Sequence, residues 1–186
     1  MNIFYLDKDP EISAKMHCDK HVVKMIIEYA QMLSTAHRML DGKLVMKPSK
    51  SGKRMIRHYD LFEGADDLEA EYAYYKAVHY NHPCNVWVRE SNQNYHHLYT
   101  MFYYLCEEYQ HRYGRFHMTD NKLRSALWTL PKNIPYKPFT EPPQAMPDYC
   151  KKSNAIEGYR TYYINEKKSF AKWTKRDIPK WFKDVA

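Results

Sequence analysis

Glycine is scarce in this sequence: only 5 of its 186 residues are glycine, whereas 18 are tyrosine. Phosphate-binding loops use closely spaced glycines because the backbone itself must approach the phosphate, so the sequence disfavours a protein of that class. Few glycines and many aromatic rings instead favour long helices, whose tyrosines can both stack and form hydrogen bonds.

Paired cysteines and long apolar runs are also missing. The cysteines form neither a C-x-x-C pair nor a dense framework, so we expect free thiols in a reducing compartment; they are Cys18, Cys84, Cys106 and Cys150. The opening stretch MNIFYLDKDPEIS has no basic start followed by an apolar run, so we expect no signal peptide. No stretch approaches the length of a membrane span, which predicts a soluble intracellular protein.

Positive charge is the main excess in the composition. The formal net charge is +7, and 44% of the residues are hydrophobic. This hydrophobic content is sufficient for a core, and the length fits a single domain over residues 1–186. The excess of Lys and Arg makes a polyanion such as DNA the first partner to consider.

The apolar periodicity predicts an all-α protein, a single compact domain of about five helices. The predicted helices cover residues 13–40, with Ser13 as the N-cap, and about 61–80, 86–113, 119–130 and 154–170. The segment 43–58 is rich in Lys and Arg, has no acidic residue and contains Pro48 and Gly52, so we expect a mobile basic loop. Residues 131–147 are proline-rich and are expected to be irregular.

The first predicted helix carries one polar stripe on a largely apolar surface. At about 100° per residue, six polar side chains lie within roughly 40° of one line. They are His17, His21, Lys24, Glu28, Gln31 and Thr35. Because the remaining surface is mostly apolar, we expect a helix that is buried on most sides, with its polar stripe facing a cleft or an internal network.

Three interpretations of this polar stripe remain open. In the first, Lys24 and Glu28 form an ordinary i,i+4 ion pair and neighbouring groups satisfy the histidines. In the second, His17 and His21 bind Zn²⁺, with further ligands from Glu28, His79, His82 or Cys84. In the third, Glu28 is a partly buried carboxylate beside cations, where it can stabilise positive charge or transfer protons.

One stretch of the sequence resembles a known enzyme family. A histidine, His21, precedes a glutamate, Glu28, by seven residues on a helix that ends in DGK at 41–43, and an aromatic-rich tail closes the chain. This arrangement resembles the small helical pyrimidine-dimer DNA glycosylases with AP lyase activity known from phages, the endonuclease V type. The similarity is tightest over residues 21–43 and weaker over 94–114 and 173–182. NHPCNVW, RYGRFH and AMPD are similar to stretches of uncharacterised phage proteins.

The resemblance implies a DNA repair enzyme that flips a damaged or modified base out of the duplex, with no metal or other cofactor, in the cytoplasm of the host cell if a phage encodes it. In this family an amine attacks C1′, expels the base and forms an imine, after which elimination cuts the strand. Glu28 would take the role of the catalytic glutamate, with His21 orienting phosphate or sugar and Lys24 supplying positive charge. Because Asn2 is bulky enough to hinder removal of the initiator methionine, the nucleophile would be the α-amine of Met1 or the side chain of Lys24 or Lys20, or no lyase chemistry would occur.

Further cationic residues are predicted to bind nucleic acid, through phosphate contacts that give affinity without reading sequence. They are His17, Lys43, Lys47, Lys50, Lys53, Arg54, Arg57, Arg89, Arg112, Arg115, Lys175 and Arg176. Two other functions are alternatives to a glycosylase. One is a zinc-dependent nucleotide or nucleic-acid hydrolase that uses His17, His21, His82 and Cys84, and the other is a non-catalytic DNA-binding protein.

Overall fold

The structure is a computed structural model that describes residues 1–61 and 73–185. Within these ranges the chain is mainly helical, with one small antiparallel sheet. The elements, in chain order, are α1 (Pro10–Met16), α2 (Asp19–Asp41), β1 (Lys43–Pro48), β2 (Met55–Asp60), α3 (Pro83–Glu90), α4 (Asn92–Tyr113), α5 (Met118–Trp128), α6 (Ala155–Glu166) and α7 (Lys180–Lys183), with a 3₁₀ turn at Asp148–Cys150. The prediction of a mainly helical protein is confirmed, but the prediction of a purely α-helical protein is wrong.

The first predicted helix is divided into α1 and α2. Asp9 caps α1, since its side chain accepts hydrogen bonds from the backbone N–H groups of Glu11 and Ile12. The prediction of Ser13 as the cap is therefore wrong: Ser13 is buried inside α1 and accepts a hydrogen bond from the backbone N–H of Leu6 at 3.1 Å. The chain becomes extended at His17, at a ψ of 134°, before α2 begins.

The later helices follow the predicted positions with adjusted ends. The predicted helix at 86–113 is divided at Ser91, which has an extended backbone and caps α4. Gly114 ends α4 in the left-handed conformation, at a φ of 69°. The predicted helix at 61–80 lies largely outside the described residues, and residues 74–80 are irregular. The proline-rich segment 131–147 is irregular, as predicted.

The segment predicted as a mobile basic loop forms a β-hairpin. Strand β1 pairs antiparallel with β2, in a register that places Lys43 opposite Asp60 and Pro48 opposite Met55. Gly52 has a φ of 70° in the connecting turn. The loop prediction for 43–58 is therefore wrong. It failed because the proline and the many positive charges hide the alternation of polar and apolar residues that is typical of a strand.

Helix α2 lies at the centre of the fold. It packs against α4, α3 and α5, and most of its apolar side chains are buried, including those of Val22, Ile26 and Leu33, whereas Val23 and Ile27 are each 39% exposed. The N-terminal segment adds Ile3 and Leu6 to the same core. The prediction that this helix is buried on most sides is confirmed, and its middle turns are held rigidly by their neighbours.

Candidate functional site

The N-terminal segment of the chain meets α2 at Glu28. The α-amine of Met1 lies 3.7 Å from Glu28 Oε2, and the backbone N–H of Asn2 donates to the same oxygen at 3.3 Å. Lys24 Nζ lies 3.2 Å from the other carboxylate oxygen, Oε1. The Glu28 side chain is 14% exposed and that of Lys24 is 68% exposed. This arrangement combines an amine, a carboxylate and a second cation in one partly buried place.

Hydrogen bonds hold the N-terminal segment in this position. The backbone N–H of Phe4 donates to the Tyr29 hydroxyl at 3.2 Å. The Asn85 amide donates to Met1 Sδ at 3.1 Å, and the Met1 side chain is almost fully buried. Because Tyr29 directly follows Glu28 on α2, the contact that fixes Phe4 also fixes how closely Met1 approaches the carboxylate.

Residues 78–82 form a second wall beside Glu28. The backbone N–H of Val78 donates to Thr35 Oγ1 at 3.2 Å, and the Asn85 amide donates to the carbonyl oxygens of Val78 and His79 at 3.0 and 2.9 Å. His79 has a φ of 47°, an unusual conformation for a residue with a side chain. An open pocket of about 410 Å³ adjoins this wall, lined by His79, Tyr80, Asn81 and His82.

His82 lies in the electrostatic field of the amine and the carboxylate. Burial lowers its pKa, the positive charges of the N-terminal amine and His79 lower it further, and Glu28 opposes them. Its Nδ1 accepts the backbone N–H of Cys84 at 3.2 Å, which leaves Nε2 to carry the proton of the neutral ring. The sequence alone indicates His82 only as a zinc ligand, because no local pattern reveals that the N-terminus lies beside it.

The two histidines of the predicted stripe lie in the core. His17 is fully buried, with Nδ1 2.7 Å from the carbonyl oxygen of Ser13. His21 is also buried, with Nδ1 2.5 Å from the Tyr163 hydroxyl and its ring stacked on Phe4 at 4.2 Å. Burial lowers the pKa of His17 to about 4 and that of His21 to about 2, so both rings are neutral. Both side chains are enclosed by protein in this structure, and the contacts of His17 with nucleic acid and of His21 with phosphate or sugar stay predictions.

The geometry does not assemble the predicted zinc ligands. Among residues 1–61 and 73–185, no group of three or more His, Cys, Asp or Glu side chains is placed to hold one metal ion. Both His17 ring nitrogens already face oxygen atoms, those of Ser13 and Tyr29. Burial raises the pKa of the Cys84 thiol to about 11, which disfavours the thiolate that zinc requires.

The residues predicted to contact nucleic acid differ in their exposure to solvent. The exposed group includes all six hairpin cations, together with Arg115 and Lys175; the hairpin cations are Lys43, Lys47, Lys50, Lys53, Arg54 and Arg57. Among these, Lys47 Nζ lies 2.7 Å from Asp60. Arg89 is half-buried and donates to the carbonyl oxygen of Asn85 at 3.1 Å.

The second group is held in an internal ion network. Arg112 is buried and lies 2.7 Å from Glu108 and 2.8 Å from Asp19. Arg176 is half-buried and lies 2.8 Å from Glu108. The prediction that Arg112 contacts nucleic acid is wrong, because its guanidinium is enclosed by protein. Arg176 is engaged by a buried carboxylate.

The lysines that were alternative nucleophiles differ in their surroundings. Lys20 Nζ lies 4.7 Å above the centre of the Phe170 ring, and no contact places it beside Glu28. Lys24 contacts Oε1 of Glu28, whereas the α-amine of Met1 lies closest to Oε2. The α-amine of Met1 and the side chain of Lys24 are thus the two amines beside the carboxylate in the described structure.

Comparisons with other proteins add no relative: no family model, curated protein or solved structure matches this chain. Across the described ranges, none of the helices combines the length and the apolar character needed to cross a membrane. All four cysteines are buried and free. The functional argument therefore depends on the geometry around Glu28.

Proposed function

We propose that this protein is a DNA glycosylase with AP lyase activity, acting on a damaged or modified base. The single observation that carries this proposal is the 3.7 Å approach of the Met1 α-amine to the Glu28 carboxylate. An amine beside a carboxylate on a cationic protein is suited to imine chemistry on a nucleotide sugar. The resemblance of residues 21–43 to pyrimidine-dimer glycosylases supports the same reaction.

The amine is the nucleophile in the proposed reaction. The uncharged form of the amine attacks C1′ of the target nucleotide, the C1′–N bond to the base breaks, and solvent water protonates the departing base. As the new C1′–N bond forms the amine releases a proton, which Glu28 can accept at 3.7 Å. Ring opening takes up a proton at O4′ and leaves an iminium, and loss of a C2′ proton then breaks the C3′–O bond. Glu28 can return its proton to O4′ and then accept the proton from C2′, so the one further proton donor is solvent water.

The neighbours of Glu28 have distinct roles. The Asn2 N–H keeps Oε2 directed toward the N-terminus, and Lys24 holds Oε1. The carboxylate is thereby oriented before substrate arrives, which is the basis of electrostatic preorganisation. If Met1 were removed, the new α-amine of Asn2 would start 3.3 Å from the same oxygen, so the arrangement tolerates either N-terminus.

DNA is the proposed partner, and a reducing cytoplasm is the proposed location. The exposed cations of the hairpin are available for phosphate. Four buried free thiols fit a reducing compartment. The pocket beside residues 79–82 would receive part of the extruded nucleotide, which an enzyme acting on a base must take out of the stack.

Borohydride trapping tests the proposal. The full chain is mixed with duplex DNA that contains a natural abasic site, and borohydride is then added. We expect a covalent protein–DNA adduct, because borohydride reduces the imine to a stable amine. A duplex with a tetrahydrofuran site, which cannot form an imine, is the matched control. Absence of an adduct on the natural abasic site would overturn the lyase chemistry and leave a monofunctional glycosylase or a non-catalytic DNA-binding protein.

A further inference from the structure

The hairpin presents an apolar face to solvent. Side chains at alternate positions of a strand share a face, and directly opposed residues share it too. The register places Leu44 opposite Tyr59, Met46 opposite Arg57, and Pro48 opposite Met55. This apolar hairpin face comprises Leu44, Met46, Pro48, Met55, Arg57 and Tyr59. Leu44, Met46 and Met55 are 52%, 54% and 55% exposed, unusually high for three adjacent large apolar side chains.

The tip of the hairpin is strongly positive. The turn between the strands carries Lys50, Lys53 and Arg54, all exposed, and these cations line an open depression with Ser49 and Ile56. No acidic residue occurs in the sequence from 43 to 59. Apolar side chains framed by cations are complementary to a DNA groove with phosphates along its rims, where an opened base step presents the apolar faces of the bases.

The apolar hairpin face continues into the surface around Glu28. The Tyr59 ring packs edge-on against Tyr80, with ring centres 6.1 Å apart, and Tyr80 lines the pocket beside His82. Along α2, the 14 residues from Glu28 to Gly42 span about 21 Å, and a six-residue strand adds about 20 Å. The tip therefore lies at most about 41 Å from Glu28, a distance that a duplex engaged at Glu28 covers in about twelve base pairs.

We propose that the hairpin is an arm that enters the minor groove of duplex DNA and kinks it. Met46 and Met55 insert between base pairs, while Lys50, Lys53 and Arg54 bind the phosphates on either side. Apolar wedges of this kind partly unstack a base step and bend the duplex by about 20–90°. A kink lowers the cost of extruding a nucleotide. This inference rests on the proposed function only for the presence of DNA at Glu28.

Fluorescence energy transfer tests the arm. A short duplex is labelled at both ends and carries a central tetrahydrofuran site, so bending is measured without covalent chemistry. We expect the full chain to raise transfer, and the double variant Met46→Ser/Met55→Ser to lose at least half of that rise. Met118→Ser, at a methionine that is 86% exposed outside the hairpin, is the matched control and should bend DNA as the parent does.

A charge variant tests the same arm without altering its apolar face. Lys53→Gln/Arg54→Gln should reduce the slope of log affinity against log salt by about two, since each lost phosphate contact removes about one. Unchanged bending by the methionine variant would overturn the proposal. If Met46→Ser/Met55→Ser bends DNA as the parent does but no longer binds anionic phosphatidylserine vesicles, the arm proposal is overturned and the hairpin is a membrane-binding surface instead.

Borohydride trapping with the same variants separates this inference from the proposed function. If no adduct forms on abasic DNA but bending requires Met46 and Met55, the arm stands and the AP lyase part of the proposed function fails. If trapping succeeds and bending is independent of both methionines, the glycosylase proposal stands and the arm fails.

Discussion

Glu28 contacts three nitrogen atoms of different kinds: an α-amine, a backbone N–H and a lysine ammonium. Only the α-amine of Met1 can both donate a proton to the carboxylate and form an imine while remaining fixed by the fold. The Lys24 side chain is 68% exposed, so ordering it for attack would cost conformational entropy. In the proposed reaction, Glu28 therefore transfers protons and Met1 is the nucleophile.

Replacing Glu28 by Gln tests its role in proton transfer. The amide retains the shape and can still accept hydrogen bonds, but it cannot take up the proton of the amine. We expect the rate of imine trapping to fall by about 10²–10⁴-fold, the usual contribution of a general base. Glu11→Gln is the matched control, because Glu11 also forms an i,i+4 pair with a lysine, Lys15, on the surface. Equal trapping by both variants would remove Glu28 from the mechanism.

His97 provides a test of the buried histidines. Burial, assisted by His96, lowers the pKa of His97 to about 4 from an ordinary value of 6.5. In the unfolded chain His97 is therefore protonated as the pH falls below about 6.5, whereas in the folded chain it is protonated only near pH 4. The free energy of unfolding accordingly falls as the pH drops below 6.5, by about 1.4 kcal/mol per pH unit for each such histidine.

The variant His97→Phe should flatten this pH dependence. Its Nε2 is buried and has no hydrogen-bond partner in the described structure, so phenylalanine leaves no polar group newly unpaired. Urea unfolding between pH 5 and pH 7 should show about one proton fewer taken up on unfolding. His111→Phe, at an exposed histidine that does not contribute to the lowered pKa of His97, controls for added aromatic surface. An unaltered pH slope in His97→Phe would contradict the buried, neutral assignment.

At the scale of elements, periodicity predicted most helices but not the breaks within them. The interruptions at His17 and Ser91 depend on extended single residues that no local pattern marks strongly. The hairpin was not predicted because Pro48 and the many cations make the segment similar in composition to a loop. The pairing of β1 with β2 is a non-local property that composition does not show. Propensity rules describe segments one at a time, and tertiary pairing overrides them.

The candidate site was predictable only in part. The helical wheel correctly grouped Lys24 with Glu28, since i,i+4 neighbours share a face. It could not show that Phe4 and Tyr163 cover His21, nor that Met1 reaches Glu28. These contacts join residues far apart in the sequence, so a wheel specifies which residues share a face but not which element lies over it.

The ion pair between Glu108 and Arg112 on α4 also binds Arg176 and so holds the C-terminal segment against this helix. Burial would raise the pKa of Glu108, but hydrogen bonds from Arg176 and Arg112 hold it below its usual range. Glu108→Gln leaves buried Arg112 with Asp19 as its remaining carboxylate partner, 2.8 Å away, so it should reduce the free energy of unfolding by about 1–3 kcal/mol.

The outer cation of this network should matter less. Arg176 is more exposed than Arg112, so Arg176→Gln should cost no more than about 1 kcal/mol. Urea unfolding of both variants at neutral pH measures the difference. Equal losses would show that the charge of Arg112 is not the decisive feature.

At the scale of the molecule, the cations that contribute to the net charge of +7 differ in their exposure to solvent. Arg112 and Arg176 are paired with buried Glu108, whereas Lys50, Lys53 and Arg54 are exposed at one end of the fold. The surface field of the hairpin, rather than net charge alone, should control how DNA approaches.

This distribution predicts which substitutions alter salt dependence. Lys50→Gln should reduce the slope of log affinity against log salt by about one, as expected for one phosphate contact. Arg176→Gln should leave the slope unchanged, because its guanidinium is held by Glu108. Duplex binding at several salt concentrations provides the measurement, and a slope that changes equally in both variants would contradict this division.

The most direct test of the central claim is to map the trapped adduct. After borohydride reduction on abasic DNA, the protein is digested and the modified peptide is identified by mass spectrometry. The account predicts that the sugar fragment is attached to the N-terminal α-amine, which lies 3.7 Å from Glu28. Attachment to Lys24 or Lys20, with the N-terminal peptide unmodified, would contradict it.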